Sequence, residues 1–138
     1  MDAIIEVEVP TLPLDFYNED HSEAASLITQ INHILIEIQQ AQVSVDALRP
    51  LLGALLECKR SHFAREEQAM ASAKYPAFHL HKQEHSRLLN EMHALIDHWN
   101  KYQDVDSVAT YMRDIFPVWF TNHMNDMDSV SAEFINSR

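Results

Sequence analysis

Nine residues of the 138 are histidine, and neutral imidazole is the commonest side-chain ligand for transition metals. Two ligands chelate from one helix when spaced i, i+4, because those positions share a face. Four such pairs occur: His33/Glu37, His62/Glu66, His81/His85 and His93/Asp97. With nine His and 21 Asp or Glu in the chain, roughly four i±4 pairs arise by chance. Pairing alone therefore selects nothing, and the orientation of each histidine has to do the sorting.

Four helical stretches supply that orientation. At 100° per residue, Ala25, Ile28, Ile31 and Leu35 share a face of a helix over about 18–42, and His21 begins that stripe. Leu48, Leu51, Leu55, Cys58 and Met70 mark a second helix over about 46–73, with His62 and Glu66 on the same stripe. A third, over about 77–101, carries Leu88, Leu89, Met92, Ile96 and Trp99, and His81 and His85 lead into it. A fourth, over about 106–127, carries Val108, Met112, Phe116 and Trp119 and ends in His123. By contrast His33 lies about 140° off its stripe, His79 about 160° from His81, and His98 about 140° and His93 about 80° from His85. Those four are expected on the surface or at its boundary.

The connecting segments are short. Pro10 and Pro13 keep residues 1–17 as an extended arm, with Ile4, Val7 and Val9 free to pack. Ser44 or Asp46 can cap the second helix, Pro50 falls in or near its first turn, and Tyr75-Pro76 breaks the chain before the third. Pro117 interrupts the fourth pattern and is expected to kink it, releasing the Arg113 carbonyl. A single glycine, Gly53, cannot serve the many positive-φ turns of a β-sandwich. The fold class is all-α: one domain over 1–138, an up-down-up-down antiparallel four-helix bundle with an extended N-terminal arm.

In that topology His21, His62, Glu66, His81, His85 and His123 all fall at one end of the bundle. Five inward imidazoles at one level cannot be desolvated without partners, since each unpaired buried polar group costs about 1–3 kcal/mol. A metal site is the simplest resolution. A further carboxylate follows His123: Asp126 lies about 60° away at +3, whereas Asp128, at +5, points about 140° away on a straight helix. Asp128 can turn back only where the helix widens or ends, so geometry leans to Asp126 without deciding.

The net charge of −11 opposes nucleic acid and anionic membrane partners, both of which require a basic face. The lone Cys58 excludes an internal disulfide and fits a reducing cytosol. The first ten residues lack the basic and long apolar regions of a signal peptide, and no window approaches 18 apolar residues. A cytoplasmic location is expected.

The ordered motifs resemble the hemerythrin family, in particular its single-domain bacterial members, over about residues 14–128. They are Asp20-His21, His62-Phe-Ala-Arg-Glu66-Glu67, Met70, Tyr75-Pro76, His81-Lys-Gln-Glu-His85, and Trp119-Phe with His123 and Asp128. The resemblance selects Asp128 over Asp126 and implies two Fe ions with an oxo or hydroxo bridge. One would be held by His81, His85 and His123, the other by His21 and His62, with Glu66 and Asp128 bridging. Counting ligands on that scheme gives six for the first iron and five for the second, so an exogenous ligand would enter at the His21/His62 iron.

The implied function is reversible binding of O2 or another small diatomic molecule for transport, storage or sensing, behind walls such as Ile28, Leu55, Ala25, Met70 and Trp119. The alternative is a di-iron oxidoreductase with peroxidase, nitric-oxide-handling or ferroxidase activity on the same site. No Glu-x-x-His, His-Glu-x-x-His or Cys-x-x-Cys-His motif points to a ferritin-like, zincin or haem centre. Ser22 and Glu23 depart from the Asp-x-Gln-His-Lys-x-Leu run common in the family and bring a carboxylate close to the first histidine. On this sorting Glu66→Ala loses most of the iron, whereas His33→Ala and His98→Ala leave the visible spectrum unchanged. Equal losses in all three, by iron assay and absorption, would contradict it.

Overall fold

The computed structural model describes residues 7–138, so the expected packing of Ile4 lies outside the described residues. Three 25-residue helices come first: α1 (Asp15–Gln39), α2 (Leu48–Ser72) and α3 (Phe78–Tyr102). A fourth rod follows over 105–136, built from α4 (Val105–Thr110), α5 (Phe116–His123) and α6 (Ser129–Asn136). Two π-helical turns, Tyr111–Ile115 and Met124–Asp128, link its three pieces. α1 packs against α2 and against the first part of the fourth rod, and α2 packs against α3. Among the described residues there is no strand, and the result is a four-helix bundle with a short N-terminal arm.

The helix starts follow the sequence signals closely. α1 begins at Asp15, three residues before the expected position, because Pro13 bars helix only up to its own neighbourhood. Leu14 is still extended, and Asp15 puts a negative charge in the first turn. The arm is fastened to α1 by Asn18, whose side chain accepts from the Leu12 N–H (2.8 Å) and donates to the Leu12 carbonyl (2.9 Å). The Ser44 hydroxyl accepts from the Asp46 N–H (3.2 Å), opening the short 3-10 turn Val45–Ala47 that leads into α2. Asp104 caps α4 by accepting from the Ser107 N–H (3.3 Å).

With glycine absent from the turns, other residues take the left-handed conformation at the helix ends: Ala41 (φ 58°), Lys74 (φ 59°) and Gln103 (φ 48°). At the first two, the chain closes a Schellman-type cap, Gln42 N–H to the Glu37 carbonyl and Tyr75 N–H to the Met70 carbonyl. Each non-glycine residue there costs about 1–2 kcal/mol, which the packed helices on either side absorb.

The core fills the end of the bundle away from the histidines. Ile28, Ile31, Leu35, Leu48, Leu52, Leu55, Leu88, Met92, Trp99, Val108 and Met112 are buried there, and Val7 and Val9 of the arm pack against it. Of the expected stripe residues, Ala25, Leu51, Leu89, Ile96 and Trp119 are only half-buried. A second, smaller cluster of Leu12, Tyr17 and Ala132 joins the arm to α6. Tyr17 and Ser131 hydrogen-bond at 2.9 Å across it. The fourth rod was expected to end near 127, and this cluster is why it continues to Asn136. Ala132 and Ile135 bury apolar surface against the arm.

Pro117 acts as expected, although the helix answers it differently. The π turn at Tyr111–Ile115 closes with the Phe116 N–H on the Tyr111 carbonyl. In that register the next donor would serve Met112, and Pro117 has none. Asn32, buried on α1, fills the place: its amide donates to the Met112 carbonyl (3.1 Å) and to its own Ile28 carbonyl (3.0 Å). The carbonyl rescued by a neighbour is thus Met112 rather than the Arg113 carbonyl singled out from an α-helical register. Asn32→Ala is expected to destabilise the protein by about 1–3 kcal/mol, by stranding a buried acceptor. An unchanged urea midpoint would contradict that role.

Candidate metal centre

All four rods contribute to one buried group of side chains. α2 supplies Glu66, and α3 supplies His81 and His85 from successive turns of one face. The fourth rod supplies His123 and Asp128, and α1 supplies His21. All six are buried. One donor atom from each of Glu66, His81, His85, His123 and Asp128 lies within 4.8 Å of every other.

The second π turn is what brings Asp128 in. It closes with the Ser129 N–H on the Met124 carbonyl, so one turn holds one more residue than an α-turn. Position +5 then takes the place that +4 would occupy, and Asp128 faces back toward His123 with its Oδ1 3.0 Å from Nε2. Asp126, toward which straight-helix geometry leaned, is exposed. That lean is corrected: the widened turn carries Asp126 outward as it carries Asp128 in.

The spacing fits metal coordination. Donors in adjacent positions about a six-coordinate metal, with bonds of about 2.1 Å, stand about 3 Å apart. Here His81 Nε2 is 3.0 Å from Asp128 Oδ1, and His123 Nε2 is 3.2 Å from His81 Nε2 and 3.3 Å from His85 Nε2. Glu66 Oε1 is 3.4 Å from His85 Nε2. Each neutral imidazole has one lone-pair nitrogen, so three Nε2 atoms facing one another can each offer a lone pair to one metal ion. Both Glu66 oxygens are buried without a hydrogen-bond partner, as are Nδ1 of His21, His81 and His123. The two Glu66 oxygens and the inward Nε2 lone pairs are placed for a cation, while each Nδ1 lies on the far side of its ring.

Asp128 divides its two oxygens. Oδ1 serves His81 and His123, while Oδ2 lies 2.8 Å from His21 Nε2. The carboxylate therefore spans two groups of imidazoles. Burial would raise its pKa, yet His123, His21 and His81 hold it well below the ordinary carboxylate range. Burial lowers the pKa of His123 against the pull of Asp128. Burial also works to lower His85, but Glu66 and Glu67 outweigh it and the net shift is upward.

His62 stands apart. Its Nε2 faces Asp20 at 3.5 Å and Glu23 at 3.7 Å, and Cys58 Sγ lies 3.5 Å from its ring nitrogens. Glu23, Cys58 and His62 form a second convergence of donors, beside a surface groove of about 570 Å³ between α1 and α2. Burial lowers the pKa of His62, with Asp20 opposing. Burial, assisted by Glu23, pushes the Cys58 thiol up to about 12. Of the seven expected ligands, six gather in one group and His62 lies in the adjoining one. His33, His79 and His93 are exposed and His98 is half-buried, as their orientation indicated.

The sequence reading named Asp20, Glu67 and Trp119 within its motifs but not their roles beside the centre, and it gave no role to Glu84 or Lys59. Glu67 accepts from His85 Nδ1 (2.8 Å), which turns Nε2 toward the group. Trp119 stacks on His123 with centroids 4.6 Å apart, and its indole N–H donates to Glu84 (2.6 Å). Hydrogen bonds from Arg87 and Trp119 bring the Glu84 carboxyl down to about 2. Asp20 is buried and held by Arg65. Lys59 is 1 % exposed. The available signal for Lys59 was its spacing of seven from Glu66, two turns along one face, set against the rule that lysines are surface residues.

No helix among the described residues is long and apolar enough to cross a membrane. The sequence matches the family model for the Hemerythrin HHE cation binding domain over residues 12–134. It is similar to a bacteriohemerythrin of Aquifex aeolicus (strain VF5), 25 % identical over 118 residues that cover 86 % of each chain. It is also similar to a bacteriohemerythrin of Stenotrophomonas maltophilia (strain R551-3), 22 % identical over 124 residues, covering 90 % of this chain and 76 % of that one. With a cation-binding family model spanning nearly the whole chain and a buried His, Glu and Asp cluster at its centre, this protein belongs to the hemerythrin family.

Proposed function

We propose that the protein binds O2 reversibly at a pair of iron ions held at this centre, for carriage, storage or sensing. The observation that carries the reading is the division of Asp128 between two imidazole groups, Oδ1 toward His81 and His123 and Oδ2 toward His21. A carboxylate so placed suits two metal ions rather than one. His81, His85 and His123 would hold the first, His21 and His62 the second, with Glu66 and Asp128 shared. Two reduced irons would supply the electrons that O2 takes up on binding.

The chain's own residues serve that role by holding rings still and keeping water out. Phe63 lies flat on His85 with centroids 3.7 Å apart, and Trp119 lies flat on His123. Glu67 holds the His85 tautomer that leaves Nε2 facing inward. Phe120 meets His21 edge-on at 5.8 Å, and Ile28, Leu55 and Met70 are fully buried around the bundle interior. An apolar surround of this kind disfavours proton delivery from solvent, and so favours release of O2 over its further reduction. The single buried thiol suits work in a reducing compartment such as the cytosol.

The test is an iron count with optical spectra of the reduced protein mixed with O2. Two irons per chain and a long-lived coloured species that bleaches under argon are expected. Rapid, irreversible oxidation would replace this reading with a di-iron oxidoreductase. Absence of stoichiometric iron after anaerobic loading would overturn both.

A further inference from the structure

Lys59 is buried in the interior, with its ammonium against aromatic rings. It sits on α2 three residues before His62 and seven before Glu66, hence on the face that carries the centre. Its Nζ lies over the Phe120 ring (4.3 Å to the centroid) and the Phe63 ring (4.7 Å). Those rings are packed on the centre from opposite sides, Phe120 against His21 and Phe63 against His85. The amine is thereby held between the two halves of the centre, on its core side.

Two ring faces offset part of the cost of burying a cation. Among the described residues, however, no hydrogen-bond acceptor is recorded for Nζ, and a buried charge without one is expensive. Burial lowers the pKa of Lys59, while Glu66 and Asp128 act to raise it. When both carboxylates are engaged by metal ions their charge is largely neutralised, and the acceptor for Lys59 must come from elsewhere. An exogenous ligand on the core side is the remaining candidate.

On the di-iron reading above, we propose that Lys59 is a hydrogen-bond donor to exogenous ligands of the centre, and that it strengthens the binding of small monoanions such as azide or nitrite at the oxidised irons without barring O2 from the reduced ones. The ammonium would donate to the anion in a low-dielectric surround, where such a charge-assisted bond is stronger than in water. Neutral diatomic ligands gain little from it.

The experiment titrates azide into the oxidised, iron-loaded protein and NO into the reduced protein, for wild type and Lys59→Met, with iron counted in each sample. Lys59→Met is expected to weaken azide at least about 10-fold and to change NO by less than about twofold, the gap reflecting a lost charged hydrogen bond. Azide affinity unchanged, or azide and NO weakened alike, would overturn the proposal. Where Lys59→Met does not fold, Lys59→Gln keeps the polarity without the charge, and wild-type azide affinity in it would overturn the proposal equally. Loss of iron from the neutral variants while Lys59→Arg retains two would assign Lys59 to balancing Glu66 and Asp128 instead. Failure of wild type itself to hold two irons would overturn the di-iron reading, and is separately visible in the iron count.

Discussion

Two carboxylates and several imidazoles cannot stay together in an apolar interior on their own terms. Glu66 and Asp128 are both buried, and both oxygens of Glu66 lack a hydrogen-bond donor. Such groups cost several kcal/mol each unless a cation or donors compensate. In the protein alone, Asp128 recruits His21, His81 and His123 as donors, while Glu66 is left facing His85 at 3.4 Å. The shortfall falls on a carboxylate within reach of the other donors of the cluster, where a bound cation would relieve it. Tertiary packing of α1, α2 and α3 holds this arrangement together, since the stripes of Leu, Ile, Met and Trp toward the other end form a core that does not depend on it.

The fourth rod shows where function bends local structure. An uninterrupted α-helix would aim His123 and Asp128 at different sides, and the π turn at Met124–Asp128 removes that conflict by inserting one residue. The upper π turn has a different cause, the missing N–H of Pro117, and a different remedy, the amide of Asn32. Both widenings lie in one rod, while α1, α2 and α3 run as regular helices of 25 residues. The irregular rod supplies Asp128, whose two oxygens face different imidazoles, Oδ1 toward His81 and His123 and Oδ2 toward His21.

Much of this was legible in the sequence, for physical reasons that can be named. Stripes of Leu, Ile and Met at helical spacing located four rods, because burial imposes the 3.6-residue period regardless of detail. Orientation separated His33, His79, His93 and His98 from the inward set, because each exposed histidine lies off its stripe. Straight-helix arithmetic failed at Asp126 and Asp128, since a π turn is a tertiary choice with no strong local signature. It failed again beyond residue 127, where α6 is held by Tyr17 and Leu12 from the distant arm. Lys59 was hidden because its residue type argues for the surface even when its position argues for the core. The inward turn of His62 toward Asp20 and Glu23 depends on side chains from α1 that no pattern within α2 records.

The two halves of the centre are unequal, and the inequality has a direction. His85 is stacked on Phe63 and fixed by Glu67, and His123 is stacked on Trp119, so their freedom is spent before any ligand arrives. Around the adjoining His62 the surroundings are polar: Asp20, exposed Glu23 and Cys58. A preorganised half loses little entropy on taking a metal, whereas a half with spare donors and a charged neighbour can adjust to a changing ligand. The asymmetry originates in the residues around each histidine of α2 and α3, Phe63 and Glu67 beside His85 and Asp20, Glu23 and Cys58 beside His62.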